Sequence, residues 1–110
     1  MAYYAKEVIC KSYPYFEITT SLESNYFSLV FRWSERESCF YFDLMKNSGE
    51  VIRLGTKILP KEKIFYTDDL TDYGLTGFFI LLPKSYNYEY SNTYEYKNFT
   101  DKFLLFYIYE

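Results

Sequence analysis

The chain has 110 residues, a formal net charge of -3 and no histidine, so one hydrophobic core is all it can build. The charge excludes the surplus of Lys and Arg that neutralises nucleic-acid phosphates, and the lack of histidine removes the commonest general base and metal ligand. More than half of the hydrophobic share is aromatic, with 15 Tyr, 11 Phe and 1 Trp, a composition suited to pleated, half-buried strands.

Residues 1–11 carry Tyr, Lys and Glu in place of an apolar signal region, and no apolar run approaches the roughly 20 residues of a membrane helix. A soluble, unprocessed chain of one domain, 1–110, is expected, with no membrane partner. Cys10 and Cys39 are too few for a disulfide framework and lack metal-site spacing, so they read as packed thiols.

Residues 3–10 form a weak strand candidate that needs a neighbour to order it. From Phe16 the pattern alternates, with Phe16, Ile18, Thr20 and Leu22 on one face and Tyr15, Glu17, Thr19 and Ser21 on the other. Glu23, Ser24 and Asn25 make a polar turn, after which Phe27, Leu29, Phe31 and Trp33 share a face, so the pair reads as a hairpin. The polar run SERES at 34–38 leads to a third strand with Phe40, Phe42 and Leu44 inward and Cys39, Tyr41 and Asp43 outward. Asn47, Ser48 and Gly49 supply the next turn, and 51–59 continues as a strand in which Gly55 marks a bulge or bend.

Residues 60–76 lose this regularity. Thr67 can cap one helical turn through Asp68, Asp69 and Leu70, but the segment is too short for a stable helix and reads as a loop. The runs GFFILL at 77–82 and FLLFYIY at 103–109 are apolar on both faces, which predicts strands covered on both sides or facing a partner. Between them, 86–96 alternates tyrosine with polar residues about Ser91, Asn92 and Thr93, as a two-stranded ribbon with its tyrosines on one face. The fold class expected is all-β, a small antiparallel sandwich or partly open barrel with a long tyrosine-rich hairpin or loop.

Chemistry finds little purchase. A nucleophilic triad has no histidine to activate it. Paired carboxylates for glycoside hydrolysis need a separation of about 5 to 10 Å in a cleft; Glu35, Glu37 and Asp43, or Asp68, Asp69 and Asp72, supply carboxylates but read more simply as solvated loop charges. The three aspartates also lack the ligand spacing of a calcium loop, and the isolated glycines form no phosphate cradle. No catalytic residue, metal ligand or cofactor is therefore assigned.

Residues 16–44 resemble the baseplate plug proteins of contractile-tailed phages, in particular the cyanophage type. The resemblance rests on the alternating strand, the short polar turn, Leu29 following an aromatic at alternate spacing, Arg32 and Trp33 closing the second strand, Arg36 in the connection, and Asp43-Leu44. Ser48-Gly49 then stands in the place of a common Asp-Gly, Gly55, Lys57 and Leu59 match a G-x-K-L element, and Gly77 precedes a hydrophobic strand. It carries roughly the first two-thirds of the chain; Ser38 replaces the family's usual glycine, Met45-Lys46 replaces Tyr-Asp, and the tyrosine-rich stretch is an elaboration.

The resemblance implies a virion structural protein, made in the bacterial host cytoplasm and built into the tail baseplate as an axial plug or connector. Its partners would be tube, hub and spike proteins and further copies of itself, and it would not be an enzyme. Candidate contact residues are Tyr86, Tyr88, Tyr90, Tyr94 and Tyr96 of the tyrosine stretch, Tyr107 and Tyr109 of the last strand, and Arg32 and Arg36. The alternative is a carbohydrate-binding module with Tyr88, Tyr90, Tyr94 and Tyr96 as a stacking platform and Asn87 and Glu89 as hydrogen-bonding groups.

Overall fold

A computed structural model describes residues 3–84 and 94–110. Four strands form the predicted meander: β2 (Tyr15–Leu22), β3 (Asn25–Ser34), β4 (Cys39–Lys46) and β5 (Val51–Ile58), hydrogen-bonded in sequence order in one antiparallel sheet. The alternation fixes which face is buried. Phe16, Leu22, Phe27, Leu29, Phe31, Phe40, Phe42 and Leu44 all point inward, and cross-strand partners such as Leu29 with Leu44 and Phe31 with Phe42 stand directly opposite each other.

The turn between β2 and β3 is shorter than the sequence suggests, because Asn25 already pairs with Leu22. Only Glu23 and Ser24 remain, with φ of 50 and 74, the two positive values of a type I′ hairpin turn. Ser38, at the end of the next connection, also has positive φ, 53. A glycine adopts that conformation without the steric penalty of a Cβ. Ser38→Gly should therefore raise stability by about 1 kcal/mol, read as a higher midpoint in urea with an unchanged slope.

The second sheet is β1 (Tyr4–Val8), β7 (Phe103–Tyr109) and β6 (Phe78–Pro83), in the order β1-β7-β6 and antiparallel throughout. The last strand is thus the neighbour that orders the first. The two sheets stay separate, so the sandwich alternative describes the fold and the barrel does not. Phe79, Leu81, Phe103, Leu105 and Tyr107 face the meander, where rings meet edge to face, as between Phe42 and Phe79 at 5.5 Å.

Residues 60–76 form the expected loop, and Ile64, Leu70 and Leu75 close one flank of the shared core. Its single helical turn lies at Thr71–Tyr73, not at 68–70. Asp69, rather than Thr67, holds it by accepting from the Thr71 N–H at 3.1 Å and hydroxyl at 2.7 Å. Those bonds from Thr71 keep the Asp69 carboxyl below the usual carboxylate range. Just before β7, Tyr96–Asn98 and α1 (Phe99–Lys102) wind two short helical turns, beginning at the last residue of the expected ribbon. Glu95 and Asn98 cap each other reciprocally there, and Phe99 is buried.

Both thiols are free. Burial, with the charge of Glu7 secondary, pushes Cys10 up to about 12. The thiolate is the reactive species, so at pH 8 Cys10 should alkylate at least roughly a hundredfold more slowly than a small-molecule thiol. Its rate should climb with pH until the fold opens, and rapid labelling of the folded chain at pH 8 would contradict this burial.

Candidate functional site

The sequence nominates surfaces rather than a catalytic centre. Arg32 lies on the outer face of the meander, where its Nη2 donates to Asp43 Oδ1 at 2.7 Å. The same oxygen accepts the N–H of Gly55 at 2.8 Å. Gly55 has φ of 60 and sits where the β4–β5 register shifts, a bulge that turns its N–H away from the ladder and onto the carboxylate. Asp43, outward by alternation, is nonetheless 6% exposed; a buried carboxylate requires the charge-assisted partners it has here.

Arg32, Asp43 and Gly55, separated in the chain, therefore form one lock that pins the bulged edge strand to the middle of the sheet. A second cluster lies nearby. Lys57 Nζ donates to Glu37 Oε1 at 2.8 Å and lies over the Tyr41 ring, while Tyr41 donates its hydroxyl to the other Glu37 oxygen. The hydrogen bond from Lys57, then that from Tyr41, holds the Glu37 carboxyl below its ordinary range. Arg36 stands exposed in the β3–β4 connection.

The nominated tyrosines divide. Tyr86, Tyr88 and Tyr90 lie outside the described residues, as do Asn87 and Glu89. Tyr94, nominated as a contact, is instead buried between the sheets, where its hydroxyl is used. It accepts from the Phe40 N–H at 2.9 Å and donates to the Ile58 carbonyl at 2.6 Å. That burial pushes its phenol well above the normal tyrosine range. Tyr94 is also lost to any sugar-stacking platform, and Tyr96 is half-buried with its ring tilted 62° against Trp33.

Trp33 itself packs against the core, edge to face with Phe40 and Tyr94. Tyr107 is likewise interior: it donates to Glu23, accepts from the Gly77 N–H at 2.9 Å and is raised above the usual phenol range chiefly by burial. Tyr109 remains half-exposed and stacks on Tyr4 at 5.5 Å. Glu23 also takes the Thr76 N–H at 2.7 Å, so the tip of the β2–β3 hairpin is tied to the start of β6. Sequence reading misses this clasp because no local pattern links a turn glutamate to a tyrosine 84 positions on.

Among the described residues an extended apolar surface survives. Phe78, Ile80 and Leu82 of β6 pair with Ile108, Phe106 and Leu104 of β7. These six are the alternate residues to the inward row, and all are only partly buried. The doubly apolar runs at 77–82 and 103–109 thus have one face in the core and one facing out. Three of the carboxylates tested for chemistry are ion-paired, Asp43 with Arg32, Glu37 with Lys57 and Asp68 with Arg53 at 3.1 Å.

No described helix is long and apolar enough to cross a membrane. No curated protein matches the chain. A family model described as "Cyanophage baseplate Pam3 plug gp18" matches residues 4–110, so the likeness extends past the meander through the last strand. The chain belongs to this cyanophage baseplate plug family, whose role is structural, in the virion tail among other baseplate proteins.

Proposed function

We propose that the protein is an axial plug or connector in a contractile-tail baseplate, lying between the tail tube and the hub or spike and acting through protein contacts alone. The family match over residues 4–110 carries this reading. The outer row of Phe78, Ile80, Leu82, Leu104, Phe106 and Ile108 supports it, because interfaces of permanently assembled subunits resemble a core cut in half. Tyr109, Arg36 and the exposed edge of Arg32 are further candidate contacts, as are Tyr86, Tyr88 and Tyr90, which lie outside the described residues.

Mass spectrometry of purified tail particles tests the assignment. The chain should appear in intact particles at a fixed ratio to hub protein, and particles complete without it would reject the reading. Ile80→Asp combined with Phe106→Asp should leave a folded chain that no longer enters particles; normal incorporation would remove the outer face from the contacts.

A further inference from the structure

Two sheets that do not close have four outer edges, and three of these are blunted. β6 is covered by the loop beside it, since Ile64 exchanges backbone hydrogen bonds with Phe79 at 2.7 and 3.0 Å and Lys61 donates to Leu81 at 2.8 Å. β5 is bulged at Gly55 and carries Arg53 and Lys57. β1 has five residues, among them Lys6 and Glu7. Bulges, charges, shortness and cover are the devices by which proteins keep sheet edges from pairing with other chains.

β2 is neither short nor bulged, and among the described residues no backbone covers it. Its eight residues keep an unbroken register with β3 from Tyr15 opposite Arg32 to Leu22 opposite Asn25. It contains no Lys, Pro or Gly, and Glu17 is its one charge. The direction of its free groups follows from one bond: the Trp33 N–H donates to the Pro14 carbonyl at 2.8 Å. Antiparallel pairs alternate between bonded and non-bonded, so Phe16, Ile18, Thr20 and Leu22 bond to β3. Tyr15, Glu17, Thr19 and Ser21 direct their N–H and C=O groups to the open edge.

The side chains along this edge define what fits. A groove beside β2 is lined by Ile9, Ile18, Lys6, Lys11, Glu7 and Glu17, and Ile9 is 66% exposed. Apolar residues on one side of an incoming strand would cover Ile9 and Ile18. On the opposite side the strand would lie beside Tyr15, Glu17 and Thr19. Glu17 takes part in none of the ion pairs among the described residues. A second copy's β2 brings another glutamate and no cation, its β1 is short and its β5 is bulged, so none of these edges complements this one.

We infer that β2 is a docking edge at which an extended segment of a different phage protein adds a fifth strand, alternating apolar with polar and placing Lys or Arg beside Glu17. Main-chain bonds supply the affinity, and Ile18, Ile9 and Glu17 the selectivity. The inference rests on the baseplate reading only for the partner being a tail protein.

The test places a photo-crosslinking amino acid at Thr19 of the full chain, expressed during infection, and identifies the attached peptides by mass spectrometry. The expected result is one segment of another tail protein with the stated pattern. Thr19→Pro removes one edge N–H and should cut recovery of the partner roughly tenfold, with the cross-linker moved to Ser21. If that variant does not fold, Glu17→Lys leaves the backbone untouched and should give a similar loss. Cross-links only to other copies, to an irregular segment, or to nothing overturn the inference. A cross-link to the stated kind of segment in a chain missing from purified tails would sink the baseplate role and leave strand addition standing.

Discussion

Gly77→Ala should destabilise the isolated chain by about 3 kcal/mol and lower its thermal midpoint by roughly 12–20 °C. A Cβ built on Gly77 would lie 2.0 Å from the Ile108 carbonyl oxygen and 2.9 Å from its carbon. These are backbone atoms of β7, the central strand of its sheet, and they cannot rotate away as a side chain can. Relief requires β6 and β7 to separate where the Gly77 N–H meets the Tyr107 hydroxyl, which also loosens the Glu23 clasp.

The comparison with Gly49 isolates the cause. Gly49 has φ of 100 but nothing within 4 Å of a built Cβ, so Gly49→Ala carries only backbone strain and should cost about 1 kcal/mol. Urea titrations of the two variants decide the order. Equal losses would mean that close approach of the strands is not what reserves position 77 for glycine.

The contrast between the two glycines also shows what sequence can and cannot convey. Gly49 stands in an Asn-Ser-Gly turn and is readable as a turn from its neighbours alone. Gly77 looks like the start of an apolar run, because its constraint comes from a strand 31 residues later. The meander was legible for the same reason as Gly49: period-two alternation of Phe16 through Leu44 is local, and a one-residue slip would expose the whole aromatic row. Asp43 was legible as outward but not as buried, since its burial depends on Arg32 and on the bulge at Gly55 arriving together.

The tyrosine stretch marks where the sequence argument fails on the described residues. Alternation at 86–96 predicts ribbon, and Tyr94 shares that pattern, yet a phenol with a long reach and a polar tip fills an interior gap between two strands as readily as it faces a partner. Pattern alone does not separate those uses. What separates them is the presence of an unpaired N–H and an unpaired carbonyl at the matching place in the other sheet, which only the fold brings into register.

Tyr94→Phe is the sharpest check on that point and should cost about 2–3 kcal/mol. Removing one oxygen leaves the ring packing against Phe40, Phe99 and Phe103 intact. It strands the Phe40 N–H and the Ile58 carbonyl, which flank the hydroxyl at 2.9 and 2.6 Å between two fully buried residues. The penalty is therefore the desolvation of two backbone groups rather than a cavity, and it falls on the β4–β5 pairing at Phe40 and Ile58. Amide exchange at Phe40 should accelerate along with the fall in the unfolding midpoint. Were Tyr94 a contact residue instead, Tyr94→Phe would melt like the parent chain and show its loss only in assembled tails.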